Sequence, residues 1–484
     1  MNRATRPPSA THPLLRKKSI DDMLAASRGE HGSEHLQRTM GTFQLMMFGV
    51  GATIGTGIFF VLAVTVPEAG PAVMITFLLV GVIAALTALC YAEVASTIPV
   101  SGSAYSYSFA SLGELPAYIV GWCLILEYGV AAAATSVGWA EYFNALLDDV
   151  FGFQIPASLS AGLLAEDPGI VNLPAVVLVG LCCLLLLRGA KESARANAIM
   201  VVIKLCVLAL FVVIALTWFE SGNLRPFAPE GISGVSAAIP AIFFTFLGID
   251  AVSTAGEEVK DPGRTIPRAV FGAVAIVTVF YLLVAFAAVG AQPRSRFEGQ
   301  DAGLEAILND VTGVALPGII IAVGAVVSIF SVTLITIYGQ TRILFAMGRD
   351  GMLPPLFKEV NRSTLSPNRN VLVTSAFIAI LAALVPIDKL FDLVSIGTLA
   401  AFMVVSATVI ILRRTRPDLK RGFRLPFGPV IPILSIVACA YAASTIAAVT
   451  WISVALWLVL ALTIYFLYSR KHSVLADRGE SAGQ

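Results

Sequence analysis

Gly49-Val50-Gly51-Ala52-Thr53-Ile54-Gly55-Thr56-Gly57-Ile58-Phe59 lies inside the first long apolar segment of the chain, roughly residues 41–66. Length and hydropathy predict a transmembrane helix there. Four glycines and two threonines in its middle argue against an unbroken one, since each interior glycine costs a helix about 1 kcal/mol relative to alanine. Bare backbone at mid-bilayer depth is tolerated only where it lines a cavity or is buried in protein. The stretch therefore reads as a discontinuous helix around a polar ligand. Its outer half would begin near Thr56-Gly57 and aim free N–H groups at an anion. Its inner half would end near Ile54 and offer free carbonyls to a cation or an ammonium. A glycine face for close helix packing is the plainer alternative, and the interleaved threonines suit it poorly.

Composition extends this to the whole chain. Of 484 residues, 57% are hydrophobic and 13% charged, against about 25% charged in a soluble domain, and the mean hydropathy is +0.85. The expectation is an all-α polytopic membrane protein. A net charge of +1 suggests no nucleic-acid partner, and the polar first forty residues followed by a long apolar run do not read as a cleavable signal peptide. Cys90, Cys123, Cys182, Cys183, Cys206 and Cys439 all fall in apolar spans, so neither disulfides nor a metal cluster is expected. His12, His31, His35 and His472 all lie in the tails, so chemistry inside the membrane cannot use imidazole. No cofactor is implied.

Twelve apolar segments are expected at about 41–66, 71–97, 116–147, 172–188, 196–219, 236–256, 267–290, 316–347, 371–386, 390–412, 429–448 and 451–469. Residues 1–40 form a polar tail expected to be disordered or to lie along the membrane surface, and 470–484 form the second tail. Of 32 Lys and Arg, 27 fall on the side of the tails, with only Arg225, Arg294, Arg296 and Lys389 opposite and Lys204 inside a span. That asymmetry predicts cytoplasmic termini in a cell membrane. A second interruption is readable in Phe243-Phe244-Thr245-Phe246-Leu247-Gly248-Ile249-Asp250-Ala251-Val252-Ser253-Thr254. There Gly248 offers a flexible point and Asp250 would cap a half-helix starting at Ala251. Segments one and six hold matching places in two five-helix units, 41–219 and 236–412, and run in opposite directions. Interrupted helices at corresponding places of inverted repeats point to a transport site. Segments eleven and twelve, 429–469, stand outside the repeat.

With these features the chain resembles the amino acid–polyamine–organocation superfamily, and within it the cationic amino acid transporter branch and its bacterial homologues. The resemblance is carried by Gly49 to Phe59, by Tyr91-Ala92-Glu93-Val94-Ala95-Ser96-Thr97-Ile98-Pro99 running into Ser101 to Tyr107, and by Gly121-Trp122-Cys123-Leu124-Ile125-Leu126-Glu127-Tyr128. Phe246 to Ile266, with Gly256-Glu257-Glu258-Val259-Lys260-Asp261-Pro262 at its centre, and Gln340-Thr341-Arg342 leading to Met347-Gly348-Arg349-Asp350-Gly351 complete it. It implies the LeuT-like five-plus-five inverted-repeat fold, alternating access, and a free L-amino acid bound between segments one and six. Room is left for a small single-span accessory subunit.

An amino acid presents a carboxylate and an ammonium on one carbon. The carboxylate would take the N–H groups of Gly55, Thr56 and Gly57, with the Thr53 or Thr56 hydroxyl, and the ammonium the carbonyls near Ile54, Phe246 and Ile249; Leu247 belongs to the same pocket. By resemblance Phe246 is the aromatic gate over the substrate; ordinary packing is its alternative. Lys204, about 12 Å of rise into segment five, is costly in a span and marks a function by default. It would gain and lose a proton during the cycle, standing where a sodium ion sits in sodium-coupled relatives. Snorkelling toward the headgroups and an immobile ammonium standing in for sodium are the alternatives. Glu93 and Glu127 are either transport residues or structural carboxylates. Asp250 either caps the resumed helix, as its position suggests, or lines the pocket and selects a cationic side chain. Glu257 and Glu258, beside Lys260 and Arg264, would form a cytoplasmic ion-pair gate, and Arg342 and Arg349 with Asp350 a similar element. Thr333 and Thr336, three apart on one helical face, would reach the substrate or Lys204.

The chain thus reads as a secondary transporter importing a cationic or a small neutral L-amino acid with a proton, not as an enzyme; it carries no G-x-x-x-x-G-K-[ST] phosphate loop. An exchanger of one amino acid for another and a non-transporting sensor are the rival readings.

Overall fold

The computed structural model describes residues 13–27, 36, 38–165, 168–298, 303–361, 364, 366–385, 387–444, 446 and 448–476; the side chain of Thr56 is among a few within these ranges that lie outside the description. The secondary structure of the described residues is helical, with turns and loops between the helices and a single isolated bridge between Met40 and Val259.

In chain order the helices are α1 Ile20–Ser27, α2 Thr42–Thr53, α3 Thr56–Ala69, α4 Val73–Thr97, α5 Ser103–Ser111, α6 Glu114–Phe151, α7 Ala157–Ser160, α8 Leu173–Leu187 and α9 Ala190–Thr217. They continue as α10 Gly231–Ala237, α11 Ile239–Thr245, α12 Ala251–Thr254, α13 Pro262–Ala291, α14 Gly303–Thr312, α15 Ala315–Arg349, α16 Asn368–Leu384, α17 Ile387–Thr415, α18 Val430–Ser444 and α19 Ala448–Ile464. Among the described residues, seven helical stretches are long and apolar enough to cross a membrane, and four further apolar stretches, Leu173–Leu187, Gly231–Thr245, Asn368–Leu384 and Val430–Ser444, are shorter. The apolar segments of the sequence all emerge as helix.

Two of them are interrupted. Between α2 and α3, Ile54 (φ −76°, ψ 96°) and Gly55 (φ −134°, ψ −148°) leave the helical region, and the chain resumes at Thr56. Between α11 and α12, helix is absent from Phe246 to Asp250. Gly248 has φ +93°, and a Cβ there would stand 2.6 Å from the Ala52 carbonyl oxygen, so glycine is required both by its backbone region and by the close approach of the two breaks.

The core is built around α6. Helices α15 and α17 pack along it, while α13 packs on α4 and α2, and α9 on α15 and α2. Helices α1, α5, α7 and α14 are short additions that the twelve-segment pattern did not contain. Of the two expectations for the tail, disorder fails for residues 13–27, which pack on the bundle. Ile20, Met23 and Ser27 are buried, Lys18 is ion-paired with Asp350, and the Leu15 backbone presses on Gly113. Most of the remaining tail residues lie outside the described ones.

Candidate functional site: a cavity between two interrupted helices

Helix α2, which precedes the first break, ends in carbonyls without helical partners, and a lysine fills them. Lys204 Nζ donates to Ile54 O at 2.5 Å and to Gly51 O at 3.1 Å, and the side chain is fully buried. Ser328 Oγ donates to Ile54 O at 3.3 Å. The negative end of the α2 dipole thus faces the ammonium, and no described carboxylate pairs with it. This excludes snorkelling, since the amine points into the bundle. It also redirects Ile54, whose carbonyl is engaged by Lys204 and Ser328 and not left for a substrate ammonium. On the same helix Asn197 donates to Met47 O at 3.2 Å and accepts from Ser331 at 2.7 Å, so α9 ties α2 to α15.

A second connection joins the two breaks. The Tyr281 hydroxyl lies 2.9 Å from Thr53 O and 2.8 Å from Thr245 O, the last residues of α2 and α11. One proton serves two carbonyls, so both helix ends are held by a single side chain of α13. Nothing in the sequence marks Tyr281, a tyrosine in a long apolar run.

Asp250 does not cap α12 with its side chain. Its own dihedrals are already helical (φ −67°, ψ −21°), whereas a capping residue needs extended backbone to turn its carboxylate over the following amides. Instead Tyr128 donates to Asp250 Oδ2 at 2.6 Å, and Oδ1 is buried without a hydrogen-bond partner.

Between the breaks lies a cavity of about 50 Å³, room for a few water-sized atoms. Gly55, Gly57, Thr53, Leu247, Val332 and Thr336 line it, with Glu127 and Tyr128 at one end. The amides of Gly55, Thr56 and Gly57 start α3, where a helix has no internal acceptor for its first N–H groups, and no side chain caps them. A Cβ on Gly57 would stand 2.8 Å from Thr245 Cγ2, so bare backbone is what reaches the cavity. The Thr53 hydroxyl is turned back to Gly49 O at 2.9 Å. The Phe246 ring does not line the cavity. It packs edge-on against Tyr281 at 5.0 Å and 82°, while Phe244 and Leu247 take the lining positions, because the unwound turn after Thr245 changes which side chains face inward. Ile249 is buried. Thr333 stands behind the wall, bonded to Ile329 O and to the Thr135 hydroxyl, each at 3.0 Å. Glu127 Oε2 is buried without a partner.

Residues 40–473 match the amino acid permease family. The chain belongs to that family. The permease is 42% identical over 463 residues to the methylthioribose transporter of Bacillus subtilis (strain 168), and 42% over 464 residues to the branched-chain amino acid permease BcaP of the same organism; each comparison covers 96% of this chain and 99% of the relative. It is 34% identical over 415 residues to the vacuolar cationic amino acid transporter 2 of Arabidopsis thaliana, covering 84% of this chain and 64% of the relative. These relatives are transporters and not enzymes.

At the end of the bundle where Lys18 meets Asp350, the charges of the permease pair across long sequence distances. Glu257 binds Arg349 through two bonds, 2.8 and 3.2 Å, and accepts from the amide and hydroxyl of Ser101, each at 3.1 Å. Glu258 accepts from Arg342 Nε at 2.9 Å and Tyr338 at 2.5 Å, with the guanidinium stacked 3.7 Å over the Tyr338 ring. The partners are therefore the arginines of α15 and not the neighbouring Lys260 and Arg264. Asp350 accepts from Tyr105 at 3.0 Å and pairs with Lys18. Glu93 takes Arg413 Nε at 2.8 Å, Arg421 Nε at 3.4 Å and the Leu425 amide at 2.7 Å. It anchors the connection between α17 and α18, away from the cavity.

Proposed function

We propose that the permease is a proton-coupled importer of neutral, aliphatic L-amino acids working by alternating access. The carrying observation is the fully buried Lys204 ammonium on the Ile54 and Gly51 carbonyls, beside a cavity whose far wall offers the free amides that begin α3. A charge in that position is where a coupling cation acts on the break. Losing its proton would remove the charge that strengthens both hydrogen bonds and faces the negative end of α2, loosening α2 from α9 and linking protonation to the packing of the interrupted helix. The substrate carboxylate sits on the amides of Gly55, Thr56 and Gly57, and apolar Leu247, Val332 and Phe244 receive the side chain. The two BcaP relatives, named for branched-chain amino acids, support this choice.

Cationic substrates are the second reading, favoured by the unpartnered Glu127 Oε2 and Asp250 Oδ1 and by the plant relatives' names. Thermal unfolding of the purified protein with L-leucine, L-alanine or L-arginine separates them. A ligand at 100 times its Kd raises stability by about 2.7 kcal/mol, so leucine and alanine should raise Tm and arginine should not; the reverse pattern supports the second reading.

The architecture proposed with this function is twelve crossings arranged as two inverted five-helix repeats, 41–219 and 236–412, with α18 and α19 outside them. Its support is that counterparts touch: α2 meets α12, α4 meets α13, α6 meets α15 and α8 meets α16. Contacts between like-placed helices are what a two-fold axis in the membrane plane requires. Cytoplasmic termini in the plasma membrane follow from the Lys/Arg asymmetry.

A further inference from the structure

On the face opposite the termini, α14 lies across the bundle, packed on α3, α9, α13 and α15. Leu304, Ile307 and Leu308 are fully buried beneath it. Glu305 shares that burial at 6% exposure, and its Oε2 is shut off from solvent with no hydrogen-bond partner. The group that meets its side chain is Asp149, at the exposed end of α6. Tyr142 of the same helix faces Glu305 and Glu141 and donates to Phe59 O of α3 at 3.4 Å. The nearby arginines are committed elsewhere: Arg296 pairs with Asp310 at 2.9 Å and Arg294 with Glu230 at 3.3 Å. Among the described residues, the charged group set against Glu305 is the acidic Asp149.

A buried carboxyl with an unpartnered oxygen and no cation, set against a second carboxyl, is costly to ionise. We propose that Glu305 is a proton-binding site, separate from Lys204, that fastens the outer helix α14 to the bundle while protonated and releases it on ionisation. Docked α14 braces α3, the outer half of the first interrupted helix, against α15. External acid therefore holds the outer mouth shut, and alkali loosens it. Burial first, and then Asp149, push the Glu305 carboxyl from 4.5 up to about 8. A raised acid in the docked state contributes stability that is complete below about 4.5 and is lost as pH rises to about 8. One linked proton makes the docking equilibrium fall about tenfold per pH unit across that window, levelling above it.

This inference needs no transport, so it stands or falls apart from the function proposed above. The test is hydrogen exchange of the amides of 303–312 in the purified full-length protein from pH 5 to 8.5, corrected for intrinsic exchange. Wild type should lose protection about tenfold per unit up to about pH 8, while Glu305→Gln, which keeps the size and a donor toward Asp149, should stay protected without a slope. A flat wild-type profile, or an unchanged slope in Glu305→Gln, overturns the proposal. If Glu305→Gln loses protection throughout the chain, Asp149→Asn decides, since Asp149 is exposed. The upper end of its window should move to lower pH, and an unmoved window overturns the proposal.

Discussion

Glu257→Gln breaks one side of a buried ion pair, and its consequence can be worked out. The Glu257 carboxylate is fully buried and carries both bonds from Arg349 and both from Ser101, and the Arg349 side chain is 12% exposed. Removing one member of such a pair costs about 3–5 kcal/mol, because the other charge is left uncompensated. In the proposed alternating-access cycle, opening this face would return Arg349 to water, so the cost would fall on the closed form. At 1.4 kcal/mol per decade the closed-to-open ratio shifts by about two to three and a half decades. Ser253, bonded to Ser103 at 2.7 Å and 2% exposed, provides the reporter. A Ser253→Cys protein labelled from the tail side with an impermeant maleimide should react about a hundredfold faster when Glu257→Gln is added. The double change Glu257→Gln with Arg349→Gln should recover part of that, since losing both charges is milder than orphaning one. Burial pushes the Glu257 carboxyl up, but Arg349 and Ser101 outweigh it and hold it below its ordinary 4.5. A depressed acid stabilises the closed form above that value and stops doing so as pH falls through its lower, folded value. Labelling of the otherwise wild-type reporter, corrected for thiolate, should therefore stay slow at neutral pH and rise only below the carboxylate range. A change of less than about threefold in Glu257→Gln would refute the lock.

Other perturbations test other contacts. Gly248→Ala meets both a positive φ and the Ala52 carbonyl at 2.6 Å, and should lose about 2–3 kcal/mol, seen as a fall in Tm with uptake abolished. Tyr281→Phe removes the one donor shared by Thr53 O and Thr245 O; orphaning buried acceptors at about 1–3 kcal/mol should cut uptake about tenfold while protein yield stays near wild type. Glu93→Gln should lower Tm and expose residues 416–428 to proteolysis without changing substrate preference, because its partners Arg413, Arg421 and Leu425 lie away from the cavity.

Glycine placement made both breaks legible. Residues that cost a helix free energy in a membrane span have to be offset by a ligand or a packing partner, and Gly55 and Gly248 sit at the two interruptions. Lys204 stood out for the same reason, as a charge where none is cheap. What was illegible depends on winding phase and long-range pairing. Phe246 turned away because an unwound turn sets no fixed period for the side chains after Thr245. Asp250 held the capping position but had helical backbone, which no local pattern foretells. Glu257 and Glu258 stand next to Lys260 and Arg264 in the chain, yet their partners lie 92 and 84 residues on. Tyr281 and Ser328 look like ordinary helix residues until the fold brings them to the breaks.

The most direct test of the account is radiolabelled leucine uptake into proteoliposomes with and without an inward proton gradient, for wild type and Lys204→Ala. The account predicts gradient-driven accumulation in wild type and, in the variant, leucine binding that survives with no response to the gradient. Equal gradient-driven accumulation in both proteins, or wild-type uptake only into liposomes preloaded with amino acid, would contradict it.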